Sequence, residues 1–117
     1  FDANNRIIAS AIASTPLDYI EAFTPSPDTD MTLAEARAAW PGKVLWINFP
    51  SSAHLRPDPE VEQIAVNLCE EANGVDGLLF GITENMPDGR WQNSEPIPFR
   101  VTEYAPPSSR TESVNQP

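Results

Sequence analysis

Apolar positions along this chain fall into two rhythms. Three short apolar runs, predicted as strands 18–23, 43–49 and 77–83, each stop abruptly at polar residues and a loop rich in Pro, Asp or Asn. Runs of this length suit strands buried on both faces of a parallel sheet. The segments around them carry the helical period instead. Asn4 and Asn5 offer caps for a helix whose Ile8, Ala11, Ile12 and Thr15 recur at i, i+3, i+4 and i+7, and Thr15-Pro16 ends it. Thr32-Leu33-Ala34-Glu35 is a capping box before the stripe Leu33, Ala36 and Trp40, which Pro41-Gly42 terminates. The third helix opens with Asp58 as its cap, Pro59 at the first helical position, and Glu60 and Glu62 opposing the dipole. Its apolar face is Val61, Ile64, Ala65, Leu68 and Ala72, and Gly74 stops it. Cys69 adjoins that face as a small buried hydrophobe. Asp88 offers a cap for a fourth helix near Arg90-Trp91, but Pro96 and Pro98 forbid a regular helix there, and Trp91 is expected to pack against the closing helix of a barrel.

The resulting order, helix-strand three times over with a last helical stretch, has repeats as long as a parallel crossover needs. Right-handed crossovers set the strands side by side in sequence order. Three strands alone leave two apolar sheet edges exposed, so the pattern fits a piece of a larger barrel better than a finished domain. Residues 1–104 form that barrel portion, and residues 105–117 read as a disordered tail with almost nothing apolar to bury.

Composition narrows the partners. A net charge of −10 and a pI near 4.2 repel nucleic acid phosphates and anionic membranes, so neither is an expected partner. The 117 residues suit one small domain or part of a larger one, and the first residue is Phe1 rather than Met. The single Cys rules out an internal disulfide, CxxC zinc spacing is absent, and a reducing cytoplasm is the expected location. No run approaches the roughly 18 apolar residues of a membrane span.

Candidate chemistry sits where the strands meet their loops. Glu21, Asn48 and Glu84 stand at the three predicted strand ends, the edge where parallel α/β folds bind ligands. An ionised carboxylate after a buried strand is costly without a partner, and the plain alternative for Glu84 is a cap on backbone amides. For Glu21 that alternative is an ion pair, and for Asn48 it is hydrogen bonding within its own loop. His54, the only His, lies in the loop after the second strand as a candidate acid/base, against the commoner solvated loop histidine. Arg90 is a candidate anion clamp, and Asp2 a further carboxylate near the start.

At those strand ends the residues resemble a known family. DANN at 2–5, LDYIEAFTPSPDTDMTLAEARAAWPGKVLWINFP at 17–50 and LLFGITENMPDGRW at 78–91 are similar to the carboxyl-terminal part of the uroporphyrinogen decarboxylase superfamily. That (β/α)8 TIM-barrel family also contains metal-dependent methyltransferases acting on corrinoid cofactors. The resemblance implies an α/β fold: about three parallel strands with flanking helices, the carboxyl-terminal fragment of the barrel. It implies a metal-assisted methyltransferase-type or related lyase activity on a small substrate, with a corrinoid protein as a possible partner. Asp2 and Glu84 resemble two positions that bind zinc in the methyltransferase branch, where both are Cys, together with a His falling just before Phe1. An Asp and a Glu there widen the choice to other divalent metals. Asn48 resembles the Asn of the family's Gly-Asn-x-x-Pro segment, with Ile47 in place of Gly. Uroporphyrinogen decarboxylase of tetrapyrrole biosynthesis is the alternative. Against it stand Gly81-Ile82-Thr83-Glu84, without a His, where that branch has Gly-His-Gly, and only Arg56 and Arg90 among many acids in the candidate loops. A third reading is that the chain by itself is an inactive truncated fragment, since a barrel lacking about five strands cannot close.

Overall fold

The computed structural model describes residues 1–74, 76–82 and 85–103, and the expectations for Glu84 and for the tail 105–117 lie outside these. Three strands form one parallel sheet in sequence order: β1 (Tyr19–Phe23), β2 (Val44–Asn48) and β3 (Leu78–Gly81). The sequence reading of an α/β chain with three adjacent parallel strands and flanking helices therefore holds. The helices are α1 (Ala9–Ala13), α2 (Leu33–Ala39), α3 (Asp58–Glu71) and α4 (Pro96–Glu103), with 3-10 turns at Arg6–Ile8, Ser51–Leu55 and Trp91–Ser94.

All the helices draw on one core. Ile20, Leu45 and Ile47 from the sheet are fully buried with Leu33, Ala36 and Trp40 of the α2 segment, Val61, Ala65 and Leu68 of α3, and Ile97 of α4. Sequential order explains this one-sidedness, because right-handed crossovers that never reverse direction place every helix on the same face. The opposite face carries Tyr19, Trp46 and Leu79, which are 54%, 42% and 48% exposed. The expectation of strands buried on both faces is thus corrected: one face is covered and the other is open.

Local chemistry fixes the element ends. The capping box of α2 is complete, with the Glu35 amide donating to Thr32 Oγ1 at 3.1 Å and the Thr32 amide to Glu35 Oε2 at 2.8 Å. Both oxygens of Glu35 also accept from the Arg6 guanidinium at 2.9 Å, and these bonds, Arg6 first, hold its carboxyl down at about 2. This fork ties the amino-terminal segment to the start of α2.

Four local expectations are corrected. The first helix is a 3-10 turn running into a single α-turn, so Ile8 and Ala11 rotate outward and only Ile12 is buried. Asn5 stands at the cap position of the first turn but makes no side-chain cap bond; its amide donates to the carbonyls of Phe1 and Ala3 at 2.7 and 2.8 Å. Asp58 lies inside the first turn of α3 after Pro57 and makes no cap bond. Pro96 and Pro98 do not prevent a helix: both fall in the first turn of α4, where backbone N–H groups have no intrahelical acceptor to lose. Trp91 stands in the turn before α4 and is 58% exposed.

Cys69 is fully buried on α3, and burial, then the charge of Glu70, pushes its thiol up to about 11. The folded chain therefore holds this proton more tightly than the unfolded chain does. The stabilisation is present below pH 9 and is lost as pH rises towards 11. Denaturant midpoints should fall across that window, and Cys69→Ala should flatten the Cys-dependent part of the fall. A native thiol that reacts quickly with a disulfide reagent at neutral pH would contradict this burial.

Candidate functional site

The open sheet face and the carboxyl edge above it are where the candidate residues gather. Alternation along the strands puts Tyr19 and Glu21 of β1, Val44, Trp46 and Asn48 of β2, and Leu79 and Gly81 of β3 on this face. Register then layers them. Tyr19 pairs with Val44, Trp46 with Leu79, and Asn48 with Gly81. Asn48 and Gly81 are thus the layer nearest the carboxyl ends. Glu21 is two residues before the end of β1, which corrects the reading that it stands at the strand end.

Gly81 lets the two strands meet closely at this layer. A Cβ on it would lie 2.9 Å from the Ile47 carbonyl oxygen and 3.6 Å from Asn48 Oδ1, and the Phe49 amide donates to its carbonyl at 2.8 Å. Asn48 is 92% buried beside it, as its 8% exposure states. Toward the amino ends, Asp18, Tyr19, Val44, Trp46 and Leu79 line a shallow apolar depression of about 420 Å³. The amino nitrogen of Phe1 donates to the Glu21 carbonyl at 3.0 Å, which lays the start of the chain, with Asp2, along the outer edge of β1.

His54 lies elsewhere. It is fully buried, its ring meets Phe49 edge-on at 5.0 Å, and Phe49 in turn meets Phe80 of the core. Since Phe49 and Phe80 alternate with Asn48 and Gly81, His54 stands on the helix side of the sheet, across from Glu21 and Asn48. Its Nδ1 is 2.7 Å from Asn93 Oδ1, while Asn93 Nδ2 donates to the His54 carbonyl at 2.9 Å. That second bond fixes the amide orientation, so Nδ1 carries the proton given to Asn93. Nε2 has no partner among the described residues.

Arg90 joins the same cluster. Its Nε donates to the His54 carbonyl at 2.7 Å and its Nη2 to the Arg56 carbonyl at 2.6 Å, with Asp58 at 3.4 Å. The guanidinium proposed as an anion clamp is therefore engaged in bracing the loop after β2. Asp28, from the loop after β1, does the same from the other side by accepting from the Ser52 amide at 3.1 Å and from the Ser51 and Ser52 hydroxyls. The three loops at the carboxyl edge are cross-braced into one rim.

Sequence reasoning passed over Asn93, Asp28 and Gly81. Only Gly81 carried a signal, since a Gly inside a strand marks close backbone approach. Among the described residues no group of three or more His, Cys, Asp and Glu is close enough to hold a metal ion. Asp2 and Glu21 alone do not make such a set. No described helix is long and apolar enough to cross a membrane. In comparison with known proteins, no family model, no curated protein and no solved structure matches this chain.

Proposed function

We propose that this chain is the carboxyl-terminal portion of a (β/α)8-barrel enzyme of the uroporphyrinogen decarboxylase superfamily, acting in the cytoplasm on a small substrate held at the carboxyl ends of its strands. One observation carries the reading. The strands are parallel, adjacent and in sequence order, with every helix on one face and Tyr19, Trp46 and Leu79 uncovered on the other. A doubly wound sheet covers both faces by reversing its strand order. A sheet that never reverses covers its inner face only by closing on itself. The layers Tyr19–Val44, Trp46–Leu79 and Asn48–Gly81 are then wall residues of a barrel interior, with Asn48 at the mouth. The bond from Phe1 to Glu21 supports the same geometry, because a preceding barrel strand would run along that edge.

Within this family the methyltransferase-type or related lyase reading is preferred to porphyrinogen decarboxylation. A substrate with many carboxylates needs several free guanidinium forks. Of Arg56 and Arg90, the second is engaged with the carbonyls of His54 and Arg56. A metal in the preferred reading would polarise a thiol or hydroxyl substrate, and Asp2 and Glu84 are this chain's candidates for holding it. The role left to Asn48 is to orient substrate through its amide at the barrel mouth.

Two measurements on the full-length protein test the reading. The coding sequence should place a His directly before Phe1. Elemental analysis after gel filtration should find about one divalent ion per chain, as a catalytic site of this type retains. A metal-free protein that decarboxylates a porphyrinogen would transfer the proposal to the alternative activity. An upstream sequence without strand-helix repeats would remove the barrel.

A further inference from the structure

Every described cation but one is already engaged. Arg6 forks onto Glu35, Arg100 pairs with Glu62 at 2.9 Å, and Arg90 holds the rim. Arg37 donates to the carbonyls of Ala72 and Asp76 at 3.2 and 2.6 Å, and Lys43 to those of Thr15 and Leu17 at 2.8 and 2.7 Å. The Arg56 guanidinium has no hydrogen-bond or ion-pair partner among the described residues, and the residue is exposed. Of the acids in the neighbouring segments, Asp28 is committed to Ser51 and Ser52 and Asp58 to Arg90. A free guanidinium in a chain of net charge −10 is a local exception to the field around it.

Arg56 also stands over an apolar hollow. Pro27, Ser52, Ala53, Leu55 and Ile64 complete with it a cavity of about 470 Å³ between the loop after β1, the turn Ser51–Leu55 and α3. Leu55 is 67% exposed there, while Ala53 is buried at the cavity wall. We propose that this groove is a binding site for a small aliphatic monocarboxylate, with the carboxylate forked onto Arg56 and the hydrocarbon laid on Pro27, Ala53, Leu55 and Ile64.

The chemistry of the ligand follows from what the groove lacks. One planar guanidinium matches one carboxylate through two parallel N–H donors. A phosphate dianion would ask for further donors, and the Ser52 hydroxyl and amide are both given to Asp28. A cavity of this size accommodates a chain of about eight carbons with room for solvent at the open side. The site is independent of the barrel proposal, since every residue in it belongs to the described chain.

Octanoate is the probe, titrated into the full-length protein while amide and side-chain NMR shifts of Ser52, Ala53, Leu55 and Ile64 are followed. Saturable binding on the order of a millimolar is expected for one charge pair and a short tail. Octanol and octylamine should bind at least about tenfold more weakly, and Arg56→Gln should weaken octanoate by about tenfold. Leu55→Ser should weaken octanoate and leave the weak response to acetate unchanged. Because Arg56 and Leu55 are exposed, neither variant threatens the fold. Octanol binding as tightly as octanoate would reduce the groove to a bare apolar patch. Inorganic phosphate displacing octanoate at equal concentration would make it a general anion site, and an unchanged affinity in Arg56→Gln would move the ligand elsewhere. Any of these three results overturns the proposal.

Discussion

Trp40→Ala should lower the stability of the full-length protein by about 3–5 kcal/mol, the range for truncating a large aromatic in a packed core. Trp40 is 1% exposed, closes α2 at its carboxyl end and meets Phe23 of β1 edge-on at 5.6 Å. Its indole N–H donates to the Ala9 carbonyl at 2.9 Å, so one side chain joins α1, α2 and the sheet. Truncation leaves a void in the core beside Phe23 and removes the indole hydrogen bond to Ala9, two losses that add. Since domains are held by about 5–15 kcal/mol, the variant would lose a large fraction of its total. Guanidinium unfolding followed by far-UV dichroism checks the value. Trp46→Ala is the informative comparison. A 42% exposed Trp on an open sheet face should cost at most about 1 kcal/mol, whereas the same residue inside a closed barrel should cost about as much as Trp40. A loss below about 1 kcal/mol for Trp40→Ala would mean that the core has been misplaced.

How far the sequence could be read follows from the range of the forces involved. The strands and the capping box of α2 were legible because hydrophobic runs and Thr32-to-Glu35 spacing act within a few residues. Parallel order was legible because crossover handedness leaves few alternatives. The openness of one face was not, because a run such as Leu78-Leu79-Phe80 is equally apolar whether a missing layer or water covers it. The prolines of α4 misled because a proline's effect depends on its position in the helix. At the third position and before, it removes no bond. The candidate site was legible only in part. Asn48 emerges at the carboxyl edge as expected, but the pairing of His54 with Asn93, 39 residues away, is a tertiary contact without a local signal. The same holds for Arg90, whose acceptors are main-chain carbonyls that every sequence possesses.

The largest functional effect is expected at Glu84, and it rests on the barrel proposal. In the sequence Glu84 follows Ile82-Thr83, just after β3, whose last layer is Gly81 against Asn48. Side chains that follow a barrel strand by two or three residues are those from which such enzymes build their sites. A carboxylate there can bind a cation or move a proton, and both roles need its charge. Glu84→Gln removes the charge and keeps size and hydrogen-bonding capacity. In the full-length protein the change should lower turnover by at least about a hundredfold, the range for positioned acid/base or metal-binding groups. The assay is whichever of methyl transfer to a thiol or decarboxylation of a porphyrinogen the unaltered protein performs. Stability should move by no more than about 0.5 kcal/mol, as for substitutions away from a packed core. The divalent metal content of the same preparations separates the two roles. Metal lost together with turnover assigns Glu84 to the metal, and metal retained with turnover lost assigns it to proton transfer. Full turnover combined with a fall of several degrees in the thermal midpoint would make Glu84 a cap on backbone amides, and the reacting groups would then have to come from other strands of the barrel.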